Sequence, residues 1–157
     1  MDEVLMIQTV TQQRMEELVF AIVTIDGFTR AGRARPDVEM VAALSEYYDL
    51  AAQSLRSSEG RIVKVIGDGI LVIFPLSRAR DAVAALRGFQ SSATALWSAI
   101  DVACRAQVKV GVGALVTGPL GPPGDERFDV YGNALNQLFK APTAAFFITP
   151  ELRALVG

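Results

Sequence analysis

Two short segments hold the residues best placed for chemistry. Lys64-Val65-Ile66-Gly67-Asp68-Gly69 sets a carboxylate between two glycines, with β-rich runs on either side. An Asp-Gly turn between such runs is a strong hairpin signal, and Asp68 then stands at a tip from which it reaches solvent and a metal ion. An ordinary turn asks for the same dipeptide, so this segment alone assigns no ligand. Ile25-Asp26-Gly27-Phe28-Thr29 closes an apolar run and should open a helix. The backbone N–H groups of Gly27, Phe28 and Thr29 would be free there to hold phosphate oxygens, and glycine allows close approach. A plain strand-to-helix turn would look the same. The chain contains no histidine, which removes a His-based triad, any His metal ligand and the usual imidazole base. Chemistry is left to carboxylates, lysines, amides, hydroxyls or a bound metal ion.

The elements that must position these groups follow from pattern. Residues 18–25, LVFAIVTI, form a continuous apolar run rich in β-branched side chains, as in a strand buried on both faces. Pro36 and Asp37 open a helix, with proline in the first turn and an acid at the positive end of the dipole. Val38, Val41, Ala42, Leu44, Tyr48, Ala52 and Leu55 make its apolar stripe to about Ser57. RIVKVI and ILVIF flank the hairpin, and Pro75 ends the second strand. Residues 78–105 read as one or two helices, with Gly88 and Ser91-Ser92 marking a kink or break. VKVGVGALVT is a strand, GPLGPPGDER a loop, FDVYGNALNQLFK a short strand running into a helix, AFFIT a strand and PELRALV a closing helical turn. The order is α+β: a ferredoxin-like βαββαβ core with one antiparallel sheet, extended by a C-terminal αβα segment. Helices should cover one face and leave the other free for a site. Residues 1–17 carry only a partial stripe and are set apart as an N-terminal segment with a short helix. Residues 18–157 form the single domain.

The totals agree. A chain of 157 residues fits one domain and can bury roughly 70% of the surface it exposes when unfolded. A net charge of −2 argues against general nucleic-acid binding. No run of about 18 apolar residues is free of charges and turns, so no membrane span is expected. The start is acidic where a secretory leader would be basic, which makes the cytoplasm the expected compartment. Cys104 is the only cysteine; it lies in what reads as an apolar helical stretch, so a buried thiol and no internal disulfide are expected.

Three motifs, in order and on matching elements, resemble the class III adenylate and guanylate cyclase domains. Ile22-Val23-Thr24-Ile25-Asp26-Gly27-Phe28-Thr29 is similar to the family's first-strand segment. Lys64 to Gly69 matches its hairpin. Phe128-Asp129-Val130-Tyr131-Gly132-Asn133-Ala134-Leu135-Asn136-Gln137-Leu138-Phe139-Lys140 is similar to its later strand-and-helix motif. GVGALVTGPLG is similar to a further family strand. The likeness covers about residues 18–157.

The family reaction is attack of a ribose 3′-hydroxyl on the α-phosphate with release of pyrophosphate, helped by two metal ions, Mg or Mn. The resemblance implies that Asp68 is a metal ligand, that Lys64 and Asp129 read the purine and favour adenine, that Asn136 orients the ribose, and that Lys140 faces the transition-state phosphate. Two positions depart. Thr24 stands where the second metal aspartate belongs, and threonine is a poor ligand for a hard dication. Asp26 faces the same side of the strand but is displaced by about 6–7 Å. Lys140 stands in place of an arginine and lacks its planar fork. Family sites lie at dimer interfaces, so the implied partners are ATP or another purine nucleotide and a second subunit, either a copy of this chain or a metal-binding cyclase half. Three functions stay open at this point: a degenerate cyclase-homology domain that dimerises and binds nucleotide, a working adenylate cyclase using Asp26 or a single metal, and a purely structural interaction domain. Arg30, Arg33 and Arg35 read either as triphosphate contacts or as a solvated loop.

Overall fold

The apolar run over residues 18–25 is the middle of a longer strand. In the computed structural model, which describes residues 12–157, β1 runs Arg14–Asp26. Residues 14–17 are therefore strand, not the end of a short helix, and residues 12 and 13 are not helical; residues 1–11 of that expected helix lie outside the described residues. The reason is a partner: β4 runs Arg105–Leu120, long enough to pair with β1 from Arg14↔Thr117 to Asp26↔Arg105. A continuous ladder outweighs a partial helical stripe.

Between and after these strands come α1 (Phe28–Arg33), α2 (Asp37–Leu55), β2 (Arg61–Ile66), β3 (Gly69–Pro75), a single 3₁₀ turn at Leu76–Arg78, and α3 (Ala79–Ser98). β4 is followed by β5 (Arg127–Tyr131), α4 (Asn133–Phe139), β6 (Phe146–Ile148) and α5 (Pro150–Val156). The sheet order is β2-β3-β1-β4-β5, antiparallel throughout, with β6 added parallel to β4. This is the expected ferredoxin-like α+β core with its C-terminal extension.

Strand alternation divides the core in two. Val19, Ala21, Val23 and Ile25 of β1 face α2 and α3. Leu18, Phe20 and Ile22 face the other way, against Leu71, Ile73, Leu115 and Val130. The second face is not wholly free, because α4 lays Leu135 and Leu138 on it. Burial on both faces explains the unbroken apolar run of β1.

Three local readings change. The buried stripe of α2 is Met40, Ala43, Tyr47, Ala51 and Leu55, while Val38 and Val41 are exposed. Spacing of three and four residues through small and aromatic side chains decides the face, not the two valines. α3 is unbroken through Gly88 and Ser91-Ser92, since Ala82, Leu86, Phe89, Ala93 and Trp97 keep one continuous buried stripe. Cys104 is buried as expected but sits in the turn before β4.

α4 can approach the sheet because β4 carries Gly113 beneath it. A Cβ at Gly113 would lie 2.7 Å from the Ala134 Cβ, well inside contact distance. Gly113→Ala must therefore push α4 outward or strain it. Overpacking of this kind costs about 1–3 kcal/mol, to be seen as a lower urea midpoint with an unchanged slope.

Candidate functional site

The hairpin tip is tied to the rest of the fold by side chains. β1 and β3 pair only as far as Val23↔Ile70. Beyond that point the Ile25 N–H donates to Asp68 Oδ2 at 2.8 Å, so the carboxylate fills the place of a ladder partner. The Tyr47 hydroxyl donates to the Asp68 carbonyl at 2.9 Å, and the Tyr48 hydroxyl donates to the Gly67 carbonyl. Burial, and then the Asp68 charge, push both phenol pKa values up, which keeps both hydroxyls as donors. Gly67 has φ 55°, a left-handed turn position suited to glycine.

Thr24 points, like Ile22, to the second face of the sheet. It lines a cavity of about 230 Å³ with Gln107, Lys109, Phe139 and Thr143. Asp26 is the exposed last residue of β1, paired across the ladder with Arg105. No group of three or more His, Cys, Asp or Glu side chains able to hold a metal ion forms among the described residues. The two positions expected to hold the ions carry one carboxylate, Asp68, already accepting a backbone N–H, and the neutral hydroxyl of Thr24. That set does not fit a two-ion site.

Gly27 turns the chain from β1 into α1 at φ 86°. A Cβ there would meet Arg30 Nη2 at 2.7 Å and Cys104 Sγ at 3.3 Å, so both backbone angle and packing call for glycine. Phe28 packs edge-on against Trp97 at 5.4 Å, and Thr29 is exposed. Two of the nearby arginines are employed in structure. Arg30 pairs with Asp101 at 3.3 Å, and Arg35 donates to the Ile100 carbonyl. The Ala103 N–H and the Arg30 guanidinium hold the Asp101 carboxyl below its ordinary value. These contacts pin the α1–α2 corner to the turn before β4.

Lys64 and Asp129 lie on β2 and β5, the two opposite edges of the sheet. The sheet curls until these edges meet, and Lys64 Nζ donates to Asp129 Oδ2 at 3.0 Å. Asp129 Oδ1 accepts from the Val130 N–H, which fixes the carboxylate plane. A second tie lies alongside, with the Arg61 guanidinium 3.5 Å over the Phe128 ring. The pair is partly open to solvent, 49% and 27% exposed, so its net contribution to stability is small and its groups stay available to a ligand.

Asn136 and Lys140 are exposed on and just after α4, with Leu135 and Leu138 anchoring that helix below them. Neither side chain makes a hydrogen bond among the described residues. Three contributors are not legible in the pattern: the two tyrosine hydroxyls, of which only Tyr48 has a place on the expected packing stripe, the Arg61–Phe128 stack, and Lys109, which donates to the Phe139 and Ala141 carbonyls at 3.2 and 2.7 Å. No local signal marks a side chain whose partner is a backbone carbonyl far along the chain.

A family model described as the adenylate and guanylate cyclase catalytic domain matches residues 10–142. No curated protein sequence matches the chain. Among solved structures it is similar to the guanylyl cyclase Cya2, with TM-score 0.83 and 21% identity over 93% of this chain and 81% of that one. It is likewise similar to the adenylyl cyclase CyaB from P. aeruginosa, with TM-score 0.83 and 18% identity over 92% and 82%. A guanylate cyclase domain from Catenaria anguillulae, solved in complex with GTP, matches with TM-score 0.74 and 15% identity over 91% and 84%. At these identities the structures speak to the fold alone.

Proposed function

The chain belongs to the adenylate and guanylate cyclase catalytic domain family, and from that premise we propose that it binds a purine nucleotide, preferring adenine, while cyclising it weakly or not at all on its own. The observation that carries this is the asymmetry of the site. Lys64 and Asp129 stand together at 3.0 Å, whereas Thr24 occupies the position at which the family pattern sets the second metal aspartate.

Each residue has a definable task. The Lys64 ammonium donates to a purine ring nitrogen, and the Asp129 carboxylate accepts from the exocyclic amine of adenine. Guanine presents a carbonyl at that position, which a carboxylate repels. Asn136 holds the ribose through its amide, and Lys140 supplies a point charge to the phosphates. The N–H groups of residues 27–29 hold phosphate oxygens at the β1–α1 turn. Family members use divalent ions when active; here Asp68 is the carboxylate that would hold one, with magnesium or manganese as the fitting hard cations.

A second subunit completes the reading. Ile66 at the hairpin tip, Tyr131 at the end of β5 and Phe139 at the end of α4 are large, exposed apolar side chains close to the site in sequence. Their exposure suits a dimer contact. Sedimentation of the purified chain should show a dimer at micromolar concentration.

The direct test is binding. ATP should raise the melting temperature more than GTP does, and at about 100 times the dissociation constant the gain is about 2.7 kcal/mol. Lys64→Ala should weaken ATP binding about tenfold, the scale of one charge-assisted hydrogen bond. If neither nucleotide shifts the transition, the domain is an interaction module. Rapid ATP turnover by the unmodified chain, lost in Asp68→Ala, would make it a working cyclase instead.

A further inference from the structure

Lys109 lies at the centre of the second face, on β4, level with Ile22 of β1. Its ammonium donates to Phe139 O at 3.2 Å and Ala141 O at 2.7 Å. The first is the last carbonyl of α4, which has only seven residues, and the second lies two residues beyond it, just past the C-cap. Such a short helix has little stability of its own, and its last carbonyls have no intrahelical partners. A cation placed there satisfies them and complements the negative end of the dipole. Lys140 lies between the two carbonyls that Lys109 holds, so fixing them fixes the backbone from which Lys140 projects. α4 itself holds this stretch by its amides, Lys140 N–H to the Gln137 carbonyl and Ala141 N–H to the Leu138 carbonyl, both at 3.1 Å, which leaves the Phe139 and Ala141 carbonyls to Lys109.

We infer that Lys109 is a positioning residue that sets Lys140 for contact with the nucleotide phosphates. This rests on the nucleotide-binding reading above. It makes Lys109 the brace between the Thr24 cavity, whose wall it forms, and the phosphate-facing end of α4. An ammonium suits this spot; an apolar chain of equal length would take from the part-buried Ala141 carbonyl its side-chain donor and leave the exposed Phe139 carbonyl to water. Arginine should keep the cap, since it too donates to more than one acceptor.

The experiment combines ATP binding by calorimetry with amide hydrogen exchange over residues 137–141. Lys109→Met should weaken ATP binding by about tenfold, the scale of a partly buried cation at a helix C-terminus. Lys109→Arg should restore most of it. In a Lys140→Ala background, Lys109→Met should add no further loss, because its effect runs through Lys140. Exchange at 137–141 should quicken in Lys109→Met and return to the parent rate in Lys109→Arg. Unchanged ATP affinity in a folded Lys109→Met protein would overturn the inference, as would a full further loss in the Lys140→Ala background. If the parent protein binds no nucleotide, the binding reading fails by itself. The exchange pattern then decides the brace: unchanged rates at 137–141 refute it, and local, arginine-rescued fraying supports it.

Discussion

Given ATP with magnesium or manganese, the unmodified chain should form little or no cyclic nucleotide, and the Thr24→Asp, Lys140→Arg double variant should form it at least about 10³-fold faster. The charge that develops in phosphoryl attack sits on oxygens, so the rate depends on fixed positive groups aimed at them. Thr24→Asp adds the missing carboxylate on the face of β1 that Thr24 already presents, next to the residue whose N–H holds Asp68. Two carboxylates can then share a hard cation that one cannot hold well. Lys140→Arg restores a planar fork able to take two phosphate oxygens at once. Loss of one such transition-state donor typically costs about 10²–10³ in rate, so each single variant should recover only part of the activity. The two changes should reinforce one another, because a phosphate clamp accelerates little without the ion that orients the triphosphate. An assay of product against time, with Asp68→Ala added as a third change, checks this. Product that persists after Asp68→Ala would show that the activity does not run through the hairpin carboxylate, and a double variant no faster than its parent would show that decay at these two positions is not what limits the chain.

Much of this site is legible in the chain because its parts are local. Lys64 to Gly69 is a complete hairpin signal in six residues, and its strands form where the pattern places them. The pairing of Lys64 with Asp129 followed from resemblance, not pattern, since the two lie 65 positions apart and on opposite sheet edges. What brings them together is the curl of a six-stranded sheet, a sum of small twists that no segment displays alone. The same holds for β1. Arg14 to Glu17 reads as a weak helix until β4 supplies a ladder for it. Tyr47 and Tyr48 show the limit from another side. The expected packing stripe includes Tyr48 and omits Tyr47, yet Tyr47 is the one that is fully buried. Their hydroxyls nonetheless end on the carbonyls of Asp68 and Gly67, so packing and site geometry are carried by the same residues.

That double duty makes Trp97 the position where a core substitution should reach the site. Trp97 is fully buried, edge-on to Phe28 at 5.4 Å and to Tyr47 at 5.6 Å. Phe28 follows Gly27 at the β1–α1 turn and Tyr47 holds the hairpin. Trp97→Ala should cost about 3–5 kcal/mol, from lost transfer energy and the cavity left behind. For a chain of this size that lowers the melting temperature by roughly 10 °C or more. Trp97→Phe should cost roughly half of that or less, for a specific reason: the Trp97 Nε1–H is buried without a hydrogen-bond partner among the described residues. An unpaired buried donor carries about 1–3 kcal/mol of desolvation cost, which phenylalanine removes while keeping much of the ring contact. The two variants therefore separate volume from polarity at one site. A Trp97→Phe protein as unstable as Trp97→Ala would mean that the indole N–H contributes to stability after all. Because Phe28 and Tyr47 both lean on this ring, nucleotide-dependent stabilisation should fall further in Trp97→Ala than in Gly113→Ala, whose disturbance lies beneath α4 on the opposite face of the sheet.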